Sequence, residues 1–540
     1  DNEDYVFKDP GEPGKSHVIE KCGHCHLTVI ETWFDSVHRT SGKNPYLHDL
    51  YSGVANAWDS ESDCVDNGGT WVDGKEPGTG ATVKLCKVAG SVGDLGSNGA
   101  CADCHAPGID GKLGGRDLLE ASGHSYDYGV HCEVCHHVES VDLAGGPGVS
   151  GSLKILRPSE PPPIPGVGEF NPLLFCPDPD VANRYMGCSP REHFRESPFC
   201  AGCHEYTQAS MDAAKPVDTT RWPDGRIPVH STYSEWGASV YATSLSCQGC
   251  HMPFADSSVT NTADLQFFGD AVSGVTGGWE RPPGHLRKHS WAGPRSAESE
   301  KLAAPVFTAV EKSVADGKLS VKVISTNGAA GHAIPTGEPL RSLVLSVSAA
   351  CNGQPLVSVG GDAIPSFGGA ISSKEKGEDW TRWDKAEKGQ LIRVIQRPGG
   401  YYDYEGFGPF GDGSFSNEQK GMPIEKVVGE VSITAINDGV ASFDKALPEG
   451  DMAYLVEGIP SEDTLSRTFA GAAGFAFARV LVDSEGTAMV PHFLATDIVS
   501  DNRILAGKSW TSEHVFDSSC DEPTVTTTLI QRAFPYRLAL

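Results

Sequence analysis

The chain has 540 residues, with 71 Asp and Glu against 43 Lys and Arg for a formal net charge of −28. That length predicts two or three domains, each able to bury a core, and without a Lys/Arg cluster the chain is not expected to bind nucleic acid. The longest small and apolar stretch, Thr468–Ala478, is far short of a bilayer span, so no transmembrane segment is expected; no signal peptide precedes Asp1, and if one existed it has been removed.

From the N-terminus, the first element is CGHCH, Cys22–His26. The C-x-x-C-H pattern returns as CADCH (Cys101–His105), CEVCH (Cys132–His136), CAGCH (Cys200–His204) and CQGCH (Cys247–His251). It is the attachment signature of c-type haem. Two thiols separated by two residues add across the haem vinyl groups, and the adjacent imidazole faces the iron as proximal ligand. Five covalently attached haem c groups are therefore expected. Their thioethers come from Cys22 and Cys25, Cys101 and Cys104, Cys132 and Cys135, Cys200 and Cys203, and Cys247 and Cys250. Their proximal ligands are His26, His105, His136, His204 and His251. A zinc half-site would explain one such motif, but not five that all end in His.

All five motifs precede residue 252, leaving roughly fifty residues per haem, too few for separate cores. The haems are expected to pack on one another, wrapped by short helices and long loops. Arg157–Pro165 (RPSEPPPIP) excludes helix, and the unequal motif spacing excludes a tandem repeat. Six cysteines lie outside the motifs: Cys64, Cys86, Cys176, Cys188, Cys351 and Cys520. Haem attachment happens outside the cytoplasm, where an even remainder reads as disulfides. The pairing expected is Cys64–Cys86, Cys176–Cys188 and Cys351–Cys520, with free buried thiols as the alternative.

After about residue 300 the texture changes. Alternating runs appear at Leu319-Val321-Val323, Leu343-Leu345-Val347, Val431-Ile433-Ala435 and Val525-Thr527-Leu529. Turn signals stand at Asp316-Gly317, Asn437-Asp438-Gly439 and Asp483–Gly486. These predict a β-rich domain, a sandwich, over 301–540.

Of 19 histidines, five are proximal and the rest compete for the distal positions. A haem with two His ligands is six-coordinate and suited to electron transfer. His38, His124, His289 and His332 are the first distal candidates, and His17 and His131 come next. His24 sits inside its own motif and cannot reach the distal side of that haem; His137 could serve only a neighbouring one. His332, between Gly331 and Pro335-Thr336-Gly337, is predicted on a stiff, exposed turn after the strand Leu319–Ser325, latching the β-domain to a haem.

The stretches CGHCHLTVIETWFDSVH, ACADCHAPG, GVHCEVCHHV, SPFCAGCHEY and TYSEWGASVYATSLSCQGCHMP resemble the multihaem c-type cytochromes related to hydroxylamine oxidoreductase and to the tetrahaem cytochrome of ammonia oxidisers. The second region resembles the β-domain that follows such cytochromes in many metal-respiring and anaerobic bacteria, on Asn327–Ser342 (NGAAGHAIPTGEPLRS) and Ser500–Ile504 (SDNRI). The resemblance implies a multihaem cytochrome c domain over 1–300, mostly irregular with short α-helices wrapped round stacked haems, then a β-sandwich-like domain over 301–540. Two departures matter. Ammonia-forming nitrite reductases usually carry one C-x-x-C-K haem, whereas all five motifs here end in His. Hydroxylamine oxidoreductases carry more haems, one cross-linked to a Tyr that nothing in this chain marks.

The expectation is therefore an electron-transfer protein of the periplasm or cell surface, with no catalytic residue assigned. Its partners would be other redox proteins or an extracellular acceptor. A homopolymer through haem–haem stacking, as in extracellular cytochrome filaments, is one form of this reading. The rival is an oxidoreductase that takes a small nitrogen or sulfur compound at one open haem.

Overall fold

The C-x-x-C-H words fold as single helical turns. A computed structural model describes residues 27–52, 54–55, 60–66, 69–75, 81–87, 101–107, 118, 121, 123–149, 151–156, 174–177, 188–210, 212, 214–220, 222–256, 285–293, 305–384, 386–399, 423–458 and 468–534. The first motif, with His17, His24 and His26, lies outside them, as does Arg157–Pro165. The helices used below are α1 (Leu27–Phe34), α2 (Cys101–His105), α3 (Cys132–His136), α4 (Ser197–His204), α5 (Thr232–Gly237) and α6 (Cys247–His251).

The chain divides into two compact units. The first comprises Asp1–Tyr206 and Tyr241–Ser299, the second Thr207–Val240 and Glu300–Leu540. The sequence reading gave 207–240 to the haem region; in the structure this segment clusters with the β-rich unit.

Regular structure in the first unit is short. Its strands include β1 (Thr70–Lys75) with β2 (Thr82–Lys87), which also pairs with Val54–Ala55, then β3 (Val138–Val141) with β4 (Leu153–Ile155), and the parallel pair β5 (Leu174–Cys176) and β6 (Cys188–Pro190). The β3–β4 hairpin buries Val138, Leu153 and Ile155 with Val134 of α3, and Phe199 and Cys203 of α4 pack on the same cluster. A second small cluster joins Ile30 and Trp33 of α1 to Tyr128. Apolar burial is thus spread among small patches between the motif turns.

The second unit contributes β7 (Ile227–Ser231) from the inserted segment, and from the C-terminal part β8 (Val306–Ala315), β9 (Lys318–Asn327), β10 (Ser342–Cys351), β11 (Gln354–Pro355), β12 (Ser358–Gly361), β13 (Ser372–Glu375), β14 (Leu391–Gln396), β15 (Lys426–Asn437), β16 (Val440–Phe443), β17 (Met452–Val456), β18 (Gly474–Val482), β19 (Asp497–Asp501), β20 (Ser509–Asp517) and β21 (Thr524–Arg532). The four alternating runs predicted as strands fall in β9, β10, β15 and β21. Asp316 and Gly317, and Asp438 and Gly439, take the paired positive φ values of a two-residue hairpin turn, the geometry for which Asp-Gly is selected.

β7 pairs with Glu205–Gln208 in a two-stranded sheet, and β8 to β21 form three antiparallel sheets, ordered β8-β9-β20-β12, β11-β10-β18-β19 with β21 also on β10, and β13-β17-β14-β15-β16. A β-rich, sandwich-like domain was expected, and the β-rich part is what the structure shows; its three sheets share a core in which Leu319, Val321, Leu343, Leu345, Leu391, Tyr454, Phe475 and Phe477 are buried together. The Ala/Gly-rich stretch Thr468–Ala478 leads into β18, buried along nearly its whole length, where small residues let neighbouring layers close on both faces.

Candidate haem-binding site

A five-residue turn ending in His places Cys i, Cys i+3 and His i+4 on one face of the helix. α2, α3, α4 and α6 each end on the motif His in this way. The cysteines divide by role. All eight described motif cysteines are unbridged: Cys101, Cys104, Cys132, Cys135, Cys200, Cys203, Cys247 and Cys250. By contrast, Cys64–Cys86 and Cys351–Cys520 are disulfides, with Cα separations of 5.5 and 6.1 Å. Cys176 is also disulfide-bonded. It lies on β5, paired with β6, which begins at Cys188; the Cys188 side chain is outside the described residues.

The imidazoles fit iron. His136 Nδ1 lies 2.8 Å from the Phe175 carbonyl. A carbonyl only accepts, so Nδ1 carries the proton and Nε2 presents its lone pair, the arrangement of a metal-bound imidazole. Phe194 stacks on the same ring, 5.3 Å between centroids.

His38 stands opposite His204. Their ring centroids are 6.2 Å apart and 34° from coplanar. One metal shared by two imidazoles at ~2 Å from each nitrogen sets the centroids about 6 Å apart. The spacing alone is not diagnostic, since His230 and His492 of the second unit are 6.1 Å apart. Those two rings both reach Glu338 Oε2, at 3.3 Å each, and are accounted for by that carboxylate; burial alone would raise Glu338, but the two imidazoles outweigh it and hold it well below the usual range.

His38 is fixed from several sides. Trp291 packs on its ring at 4.3 Å. Ser41 Oγ is within 2.8 Å of the His38 carbonyl and 2.7 Å of the His105 carbonyl at the end of α2, and accepts from the Val130 N–H at 3.2 Å. Burial first, then the fields of His204, His105, His251 and His289, push His38 down to about 3. It is therefore neutral at pH 7, as a metal ligand must be.

The motif turns also neighbour one another. The Cys203 thiol, then burial, raises Cys104 well above its ordinary range. The Cys247 thiol, then burial, raises Cys200. The Cys247 N–H donates to Ser197 Oγ at 3.1 Å, joining α6 to α4. One loop joins α4 and α2, its Gly148 N–H donating to the Gly202 carbonyl at 2.6 Å and its Val149 N–H to the Asp103 carbonyl at 3.3 Å. Burial, then the charge of Cys203, pushes Cys135 up to about 12. Four motifs from distant parts of the sequence thus share one neighbourhood in the first unit.

The other distal candidates are placed as follows. His289 Nδ1 is 3.1 Å from the Arg287 carbonyl, and its ring meets Trp291 edge-on at 5.6 Å. His131 is buried at the N-cap of α3. The side chain of His124 lies outside the described residues, as does all of His17. His332 belongs to the second unit and is half-buried, its Nδ1 2.9 Å from the Ala333 carbonyl. Its turn was expected to be exposed. Ala333 and Ile334 are instead buried, because Glu235 of α5 accepts from the Ala333 N–H at 3.1 Å and from Thr336 Oγ1 at 2.8 Å.

Glu235 sits in a buried ionic network that sequence reasoning missed. Arg503 NH1 is 2.8 Å from it and Arg479 NH2 3.8 Å. Both arginines also bond Asp501, at 2.8 and 2.7 Å. Burial would raise Glu235, but the two guanidinium groups outweigh it and hold the carboxyl at about 2. An acid inside the otherwise apolar turn YSEWG, and SDNRI as its counterpart, are the traces this leaves in the sequence. Ser41 and Trp291, which fix His38, left none.

Among the described residues no helix is long and apolar enough to cross a membrane. No family model matches the chain, and no curated protein matches it. Among solved structures, a penta-heme cytochrome c552 from Thermochromatium tepidum aligns over 96% of this chain and 92% of its own, with 18% identity and a TM-score of 0.46.

Proposed function

We propose that the chain is a pentahaem c-type cytochrome that carries electrons along bis-His haems outside the cytoplasm. The observation that carries this is His38, an imidazole packed by Trp291 at 4.3 Å and facing the motif ligand His204 at 6.2 Å, in the unit that also gathers the four described motif turns. Bound haem c supplies a one-electron Fe(III)/Fe(II) couple. The chain's own residues do the rest. Paired thiols anchor each group, the Phe175 carbonyl sets the tautomer of His136, and Trp291 shields His38. A haem held by both His204 and His38 would leave no iron position for a substrate, which favours electron transfer over catalysis. The remaining distal ligands are drawn from His17, His124, His131, His289 and His332. Donor and acceptor are one-electron redox partners, and stacking of copies into a filament is the extended form of the same reading.

Intact mass under denaturing conditions should exceed the 57.3 kDa chain by five haems that acid acetone does not extract. Electron paramagnetic resonance of the oxidised protein should show low-spin iron throughout. Four haems, an extractable haem, or a high-spin iron that turns over nitrite or hydroxylamine would overturn the proposal. Electron micrographs of the purified protein decide between filament and particle.

A further inference from the structure

β8 ends its sheet, and its outer edge is open. Its ten residues pair with β9 in unbroken register, from Val306↔Asn327 to Ala315↔Lys318. On the other side no described residue bonds its main chain. All of β8 but Val306 is exposed, including Phe307, Val310 and Val314 at 58%, 41% and 37%. Proteins blunt such edges with short strands, bulges, proline or outward charge. β12, at the far end of the same sheet, is four residues with a register shift. β8 has neither bulge nor proline, and its one lysine, Lys312, turns away to the Pro523 carbonyl at 2.6 Å.

We infer that β8 is a dimerisation edge, pairing antiparallel with β8 of a second copy about a two-fold axis at Val310. The contact lies in the second unit and is independent of the haem reading above. A two-fold that continues the sheet keeps each face on its own side, so directly opposite residues are both even or both odd. Each register is then named by the residue that meets itself. With Val310 on the axis, Val306 faces Val314 of the second copy, Val310 faces Val310, and Val314 faces Val306. One face thus gains three cross-strand valine pairs, the unit by which sheets are stabilised. On the same axis Phe307 faces Ser313, Thr308 faces Lys312 and Ala309 faces Glu311, so neither charge meets its like. Glu311 keeps Lys322 of β9 beside it. The neighbouring registers are worse. An axis at Glu311 sets that carboxylate against itself, and one at Lys312 does the same to the ammonium. An axis at Ala309 sets Phe307 against Glu311 and Val306 against Lys312. The side chains of β8 therefore select one register with a copy of itself, and a C2 pair is the result.

The whole haem-loaded protein tests this at physiological ionic strength, because −28 on each copy opposes association until salt screens it. The parent should sediment as a dimer, and hydrogen exchange of peptides covering 306–315 should slow as its concentration rises. Val310→Lys and Val310→Asp each set like charges face to face at an exposed position. Each should weaken the dimer by roughly tenfold or more with the melting temperature unchanged, and an equimolar mixture of the two should recover it as a heterodimer in native mass spectra. Val357→Lys, at an exposed residue beside β12, should leave the dimer intact. The exchange measurement needs no variant, so it decides the matter even where a variant fails to fold. A parent that stays monomeric with 306–315 exchanging alike at every concentration overturns the inference, as does an oligomer or filament that forms equally well in both charged variants. A mixture of the two variants that stays monomeric overturns it too.

Discussion

Glu235→Gln removes one charge from the second unit and leaves the shape almost intact. Its side chain is 1% exposed, as buried as those of Arg479 and Arg503 at 2% and 3%. In the parent, two guanidinium groups face two carboxylates, Glu235 and Asp501. In the variant the two guanidinium groups keep one carboxylate of the two, and in either orientation the new NH2 faces a donor, the Arg503 guanidinium or the Ala333 N–H. Removing one partner of a buried ion pair costs about 3–5 kcal/mol. In a unit of this size each kcal/mol lowers the melting temperature by about 2–4 °C, so a fall on the order of 10 °C is expected. Far-UV circular dichroism reports the sheets of the second unit and Soret absorbance reports the haems, so a local loss is distinguishable from general collapse. Combining Glu235→Gln with Arg503→Met, which removes the excess charge, should recover part of the loss. A melting temperature within about 2 °C of the parent would show that water or relaxation compensates the charge, and the network would not hold the Ala333–Thr336 turn as described.

Three further outcomes follow from the geometry. Gly202→Ala drives a methyl to 2.4 Å from Leu153 Cδ2 and should destabilise the first unit by about 1–3 kcal/mol; Leu153→Val in the same chain should relieve part of it, and chemical denaturation measures both. Removing the Cys64–Cys86 bridge, which closes 22 residues, should cost about 3 kcal/mol; thiol labelling of the unreduced, unfolded parent should find neither cysteine. Burial lowers His514 from 6.5 to about 4, so between those values the unfolded chain binds more protons. Stability from this group is full above pH 6.5 and falls by roughly 3 kcal/mol as pH drops to 4; His514→Gln should flatten that part of the melting-temperature profile, and an unchanged slope would refute the assignment.

The parts of this protein legible in its sequence are those set by local chemistry. The C-x-x-C-H turns follow from helix period, and their thiols stay apart from the bridged cysteines. Leu319-Val321-Val323 reads as a strand because alternate residues meet the core, and Asp316-Gly317 as its turn because Gly accepts positive φ. What stayed hidden is long-range. Nothing in WFDSVHR names His204 as the partner of His38, since that pairing depends on where Trp291 and Ser41 fold. β7 is five residues, too short for a period, and it joins the second unit through Ile227, buried with Leu481 and Ile498, and through Arg479, whose NH1 bonds the Pro228 carbonyl at 2.9 Å across 251 residues of chain. The three-sheet arrangement escaped because strand order is not written in alternation.

The passage of Thr207–Val240 through the second unit has a consequence for how the protein is made and how it can be cut. A fragment starting at residue 301 would lack β7 and Glu235, taking from Arg479 and Arg503 the Glu235 carboxylate in a buried site. The β-rich unit is thus not a cassette that recombination could move as one contiguous exon-like block; it must travel with its detached piece or acquire a substitute. During synthesis the order of events is also constrained. Residues 207–240 emerge before the last C-x-x-C-H motif, yet their partners at 479, 501 and 503 emerge more than two hundred residues later. All five motifs are therefore complete before the second unit can close.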